Sequence, residues 1–162
     1  MTTQNPAAIA DTETFTVRRS IRISAPRENV WAAVTDPVHI SRWFGPTELD
    51  DHGVGTISFP DYGAVPLRVV TVDPQQSVSY RWNNDDALGA LPGEFDDTHA
   101  TTFTFTLTDA DDGTELSVVE SGFEVTSDPT ANTLSHQEGW TTELDKLVTL
   151  LEDGVTLVGA HA

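Results

Sequence analysis

Two stretches constrain this chain more than any others: VWAAVTDPVHISRWFGP at residues 30–46 and HQEGWTTELDKLVTLLE at residues 136–152. Each carries tryptophan on the apolar side of a helical period, and residues 47–135 between them are strand-like. An amphipathic helix has to bury its stripe against a second layer. The layout therefore predicts an α+β domain in which a long C-terminal helix closes over a bent antiparallel sheet, with two short helices near the N-terminus plugging one end. A chamber is expected between helix and sheet.

The strands are read from period-two alternation. In FTVRRSIRI, Phe15, Val17, Ile21 and Ile23 oppose Thr16, Arg18, Ser20 and Arg22, and Arg19 falls on the apolar parity. Strands are also expected at 55–59 (Ile57 and Phe59 together), at 65–72, at 77–82 (Val78, Tyr80, Trp82) and at 102–107 (Phe103, Phe105, Leu107). In the last strand Leu116 and Val118 point inward, and Glu120 takes the next inward place. Pro26 suits a first helical turn, and Asp36-Pro37 caps and opens the second short helix. Gly45-Pro46 stops that helix. Asp128-Pro129 opens the last helix, which carries Trp140, Leu144, Leu147, Val148 and Leu151 on one stripe with His136, and Gly154 ends it. Gly139 inside it costs about 1 kcal/mol relative to alanine, which points to close packing or to a space kept open. The acidic segment NNDDALGALPGEFDD, within 83–100, is either a lid over a cavity mouth or disordered.

The chain's 162 residues suit one domain, divided here into a disordered lead-in at 1–14, a folded domain at 15–153 and a tail at 154–162. No apolar run approaches the roughly 20 residues of a membrane span, and the N-terminus lacks the basic and apolar regions of a secretory leader. A cytoplasmic location is expected. The net charge of −18, from 26 acids against 8 bases with Lys146 the single lysine, argues against nucleic acid as a partner, because phosphate binding needs cationic neutralisation. Cysteine is absent, which removes disulfides and thiolate chemistry.

Taken in order, several pieces resemble the START-like (SRPBCC) superfamily, in its branch related to the activator of Hsp90 ATPase. They are Ala25-Pro26 with Val30-Trp31, Thr35-Asp36-Pro37, Trp43-Phe44-Gly45-Pro46, Val72-Asp73-Pro74, Tyr80-Arg81-Trp82, Phe103-Thr104-Phe105, Glu120-Ser121-Gly122-Phe123 and Gly139-Trp140 with Leu144 and Leu147. The resemblance covers residues 15–153. It implies the helix-grip fold, with a hydrophobic cavity between the sheet and the C-terminal helix. It also implies a membership of lipid and sterol carriers, aromatase/cyclases, hormone-binding proteins and co-chaperone domains, with no universal catalytic residues to carry over.

Among residues able to do chemistry, the histidines (His39, His52, His99, His136 and His161) show no metal-ligand spacing, so neither a metal nor a cofactor is expected. His136 shares the stripe of Trp140 and reads as a hydrogen-bonded wall residue or a functional one. Arg19 and Glu120, both inward on strands the helix-grip topology makes neighbours, are expected either to pair with each other or to anchor a ligand headgroup, since a buried charge needs a partner. Trp43, Phe59, Tyr80, Trp82, Phe103 and Trp140 are expected to line or fill the interior, where aromatic faces suit flat apolar ligands. The acid pairs Asp50-Asp51, Asp85-Asp86 and Asp96-Asp97 read as solvated loop charge. No nucleophile elbow or phosphate loop is present. The function expected is binding of a small lipophilic or aromatic molecule without transforming it. The rival readings are a co-chaperone-like interaction module of the stress response, with a chaperone or other protein as partner, and an enzyme of the cyclase/aromatase or hydrolase kind.

Overall fold

The computed structural model describes residues 3–60, 62–85 and 91–153. Eleven elements are used below: β1 (Ile9–Asp11), β2 (Thr16–Ile23), α1 (Arg27–Thr35), α2 (Pro37–Ile40), β3 (Thr47–Leu49), β4 (Val54–Phe59), β5 (Gly63–Asp73), β6 (Ser77–Trp82), β7 (Thr101–Ala110), β8 (Gly113–Ser121) and α3 (Pro129–Glu152). The strands form one antiparallel sheet in the order β1-β2-β8-β7-β6-β5-β4-β3. A register shift between Val69 and Thr71 on β5 adds local twist. The bent sheet with α3 laid across it is the helix-grip fold. No helix among the described residues is long and apolar enough to cross a membrane.

Alternation fixes which face is inside. On β7 Thr101, Phe103, Phe105 and Leu107 are buried, and on β8 Thr114, Leu116, Val118 and Glu120 are, while their neighbours are more exposed. On β2 the same parity buries Val17, Arg19, Ile21 and Ile23. Asp36 joins the two short helices: its N–H donates to the Ala32 carbonyl, and its carboxylate accepts the Val38 N–H at 3.0 Å. For α3, Asp128 accepts the Ala131 N–H at 3.1 Å, Pro129 occupies the first turn, and Trp140, Leu144, Leu147 and Leu151 are all buried. The helix runs unbroken through Gly139.

One expectation is corrected. Residues 3–14 are not a loose lead-in: β1 pairs with β2, Ala8 is buried, and Thr141 and Gln137 of α3 hydrogen-bond the Ala8 N–H and carbonyl, each at 2.9 Å. The physical reason is that β2 is otherwise a free sheet edge, which a short strand covers, and three residues are too few to show a period. For the same reason β3, directly after Gly45-Pro46, was not legible. The helix stop at Gly154, His161, the tail 154–162 and residues 86–90 of the acidic segment lie outside the described residues. The flanks of that segment are tied together by Asn83, whose side chain donates to the Asp96 carbonyl at 2.8 Å and accepts its N–H at 2.7 Å.

Candidate functional site

The interior beneath α3 is mostly filled. Phe103 lies against Tyr80, Trp82 and Trp140 at ring separations of 5.2, 4.6 and 5.2 Å. Trp43 stacks on Phe44 at 4.8 Å and donates its indole N–H to the Ala33 carbonyl at 2.8 Å, while the Tyr80 hydroxyl donates to the Val34 carbonyl. Burial pushes the Tyr80 phenol far above its usual value. These contacts fasten α1 to the sheet. The void left among Trp43, Tyr80, Phe103 and Phe105 is about 10 Å³, at the lower limit for one water. Trp43, Tyr80 and Phe103, grouped from sequence with the lining aromatics, are therefore core.

The usable space lies to one side, as a cleft of about 410 Å³ between the N-terminal half of α3 and the β4–β6 side of the sheet. From α3 come Ser135, His136, Glu138, Gly139, Trp140, Thr142 and Glu143, an i, i+3, i+4 face. Phe44, Phe59, Tyr62, Trp82 and Asn84 form the opposite wall. A Cβ built on Gly139 meets nothing within 4 Å, so of the two readings of this glycine the structure selects the open space.

Glu120 organises that wall. It is fully buried, and four donors converge on its carboxylate. Oε1 accepts from the Trp140 indole N–H at 2.9 Å and faces His136 Nδ1 at 2.7 Å. Oε2 accepts from the Trp82 indole N–H at 2.8 Å and from the Thr101 hydroxyl at 2.6 Å. His136 Nε2 lies 2.8 Å from the Asn84 carbonyl, which only accepts, so Nε2 carries a proton. The remaining proton sits between Nδ1 and Oε1, drawn toward the imidazole because the indole and hydroxyl donors already hold Glu120 as an acceptor. Burial alone would raise the Glu120 carboxyl, but the His136 charge and the hydrogen bonds from His136, Thr101 and Trp82 outweigh it and hold the group below its ordinary value. Both indoles lining the cleft are thus fixed in orientation by one carboxylate, and Trp82 lies over Trp140 at 6.1 Å and 29°.

Arg19 is elsewhere. It sits opposite Val118, one pleat from Glu120, and it does not pair with that residue. Its Nη2 donates to Asp145 at 2.7 Å, Nη1 to the Trp140 and Thr141 carbonyls at 3.3 and 3.0 Å, and Nε to the Pro6 carbonyl at 2.7 Å. The long side chain passes along the sheet to the helix, where carbonyls and a carboxylate wait, whereas Glu120 is already surrounded by donors. Arg19 therefore clamps the N-terminal segment and β2 to α3 and does not line the cleft.

Of the nine candidates, the cleft gathers Phe59, Trp82, His136 and Trp140 on its surface, with Glu120 behind them. Phe44, Tyr62, Asn84, Ser135, Glu138, Thr142 and Glu143 were not foreseen. Phe44 carried a signal, as it adjoins Trp43, which the sequence had already placed inside; both lie in the turn that follows α2, where a helix running to Gly45-Pro46 was expected. Thr101 carried one too, sharing the parity of Phe103. Asp85, read as solvated, is buried and accepts the Ser127 N–H and hydroxyl, each at 2.7 Å, and the Asn132 amide at 2.8 Å, so it anchors the end of β6 to the start of α3.

Solved structures share this fold. Protein MLL2253 from Mesorhizobium loti is 28% identical over 87% of this chain and 99% of its own, with a TM-score of 0.69. DynU16, a protein of the dynemicin biosynthetic locus, is 27% identical over 86% of this chain and 48% of its own, with a TM-score of 0.67. CalU16 from Micromonospora echinospora, at 21% identity over 88% of this chain and 77% of its own, shares the fold at a TM-score of 0.64. No curated protein matches the chain. The model of the family described as activator of Hsp90 ATPase homolog 1-like protein matches residues 24–152. With that match over most of its length and the helix-grip architecture of the START-like superfamily, the chain belongs to the activator of Hsp90 ATPase homolog 1-like family.

Proposed function

We propose that the protein binds a small lipophilic or aromatic molecule in the cleft beside α3 and releases it unchanged. The observation that carries this reading is the cleft itself: about 410 Å³, within the roughly 300–1,000 Å³ of small-molecule sites, and walled by indole faces whose orientation is set in advance. Preorganised walls lower the ordering cost of binding. Both ring nitrogens of His136 are engaged by protein acceptors, so in this arrangement it offers neither a lone pair nor a spare proton to a ligand. That supports a wall role over a general base. The setting of DynU16 in a biosynthetic locus favours a small-molecule ligand over a protein one.

The test is a titration with a neutral apolar fluorophore, N-phenyl-1-naphthylamine, on the wild type and on Gly139→Trp. A Cβ at Gly139 meets nothing within 4 Å and Gly139 lines the cleft, so a side chain added there starts in the open space. The variant should therefore lose at least about tenfold in affinity, equivalent to ~1.4 kcal/mol, with its urea midpoint not lowered. Equal binding by both proteins would reject the cleft as the site.

A further inference from the structure

The helix wall of the cleft has a hollow at its centre. On a helical surface the neighbours of a residue stand three and four places away along the chain. For Gly139 these are Ser135, His136, Thr142 and Glu143, and all four line the cleft. Four side chains set around one position in this way form the hole that a knob from a packed partner fills. Among the described residues nothing fills this one, since a Cβ at Gly139 meets no atom within 4 Å. Glycine is also the poorest helix former after proline, yet α3 runs unbroken through position 139. Close helix packing therefore does not account for the glycine, whereas an open hole facing the cleft does.

We infer that Gly139 sets the size of molecule the cleft admits, the hollow above its backbone receiving the far edge of a flat ligand of about three or four fused rings. This deepens the ligand-binding reading and rests on it. A closed cavity of roughly 150 Å³ holds a single benzene ring, so the cleft's volume of about 410 Å³ has room for several. The opposite wall is fixed. Phe44 lies against Phe59 and Trp82 at ring separations of 5.6 and 5.7 Å, and the Trp82 indole is tied to Glu120 at 2.8 Å. Rings packed on one another in this way do not step back for a wider ligand. Any atom added at position 139 therefore takes its space from the ligand. A molecule of two rings rests on the aromatic wall and is little affected, whereas one of greater span has to enter the hollow.

Two neutral probes of different span, 2-naphthalenemethanol and 1-pyrenemethanol, are titrated by fluorescence into the wild type, Gly139→Ala and Gly139→Leu. The wild type should bind the pyrene at least as tightly as the naphthalene. Gly139→Leu should weaken the pyrene about tenfold more than the naphthalene, and Gly139→Ala should move the same ratio by a smaller factor. Neither variant should lower the urea midpoint. Gly139→Ala should raise it, because alanine is the better helix former and its methyl enters empty space. If both probes weaken by the same factor, if neither changes, or if the wild type prefers the naphthalene, the inference is overturned while the cleft stands. A lowered midpoint for Gly139→Ala would overturn it as well, since the hollow would then not be open. If the wild type binds neither probe, the ligand-binding reading itself falls and takes this one with it.

Discussion

Glu120 shows how much one residue decides. Its alternation with Leu116 and Val118 placed it inside, and that much was legible in the sequence. Its partners were not, because all four come from other elements: Trp82 from β6, Thr101 from β7, and His136 and Trp140 from α3. Removing its charge leaves the imidazole without its counter-ion and sets an amide N–H₂ against donors. Glu120→Gln should cost about 3–5 kcal/mol in urea unfolding, as for other broken buried pairs. The pH dependence follows from the lowered folded value. The stability Glu120 contributes is complete above its unfolded value, near 4.5, and is lost as pH falls through the lower folded one. The gap between wild type and Glu120→Gln should narrow as the pH falls below about 5; a gap that widens toward acid would contradict the assignment. Arg19 teaches the complement: its inward parity was legible, but a long side chain reaches past its strand neighbours, and only the packed helix shows that Asp145 and two backbone carbonyls receive it.

At the scale of elements, α3 was the most readable part of the chain. Spacings of four, three and four residues between Trp140, Leu144, Leu147 and Leu151 keep one face buried, and all four are at most 3% exposed. Leu147 is completely buried, so Leu147→Ala should destabilise by about 2–5 kcal/mol in chemical denaturation; a loss under about 1 kcal/mol would mean that the helix is not seated on the sheet as described. The stripe does not say which neighbouring face stays open. That depends on a Cβ at Gly139 meeting nothing within 4 Å and on Phe44, Phe59 and Tyr62 lying across the gap. The short strands β1 and β3 escaped notice because period-two alternation needs four or more residues to register.

For the whole molecule, the dominant quantity is charge: 26 acids against 8 bases. Self-repulsion of that size weakens the compact state and is screened by salt, while the exposed ion pairs that salt also weakens contribute little. The thermal midpoint should therefore rise between about 0.05 and 0.5 M sodium chloride, as read by calorimetry; a falling midpoint would show that ion pairs outweigh repulsion. The sequence alone determined the layer architecture, the inward face of the longer strands and the buried stripe of α3, because each follows from the local geometry of a chain with one wet side and one dry side. Only the tertiary structure decided that Tyr80, Trp43 and Phe103 pack solid while Trp82, His136 and Trp140 face a cleft. Periodicity reports that a side chain is buried, but whether it meets protein or open space depends on the distance between elements far apart in the chain.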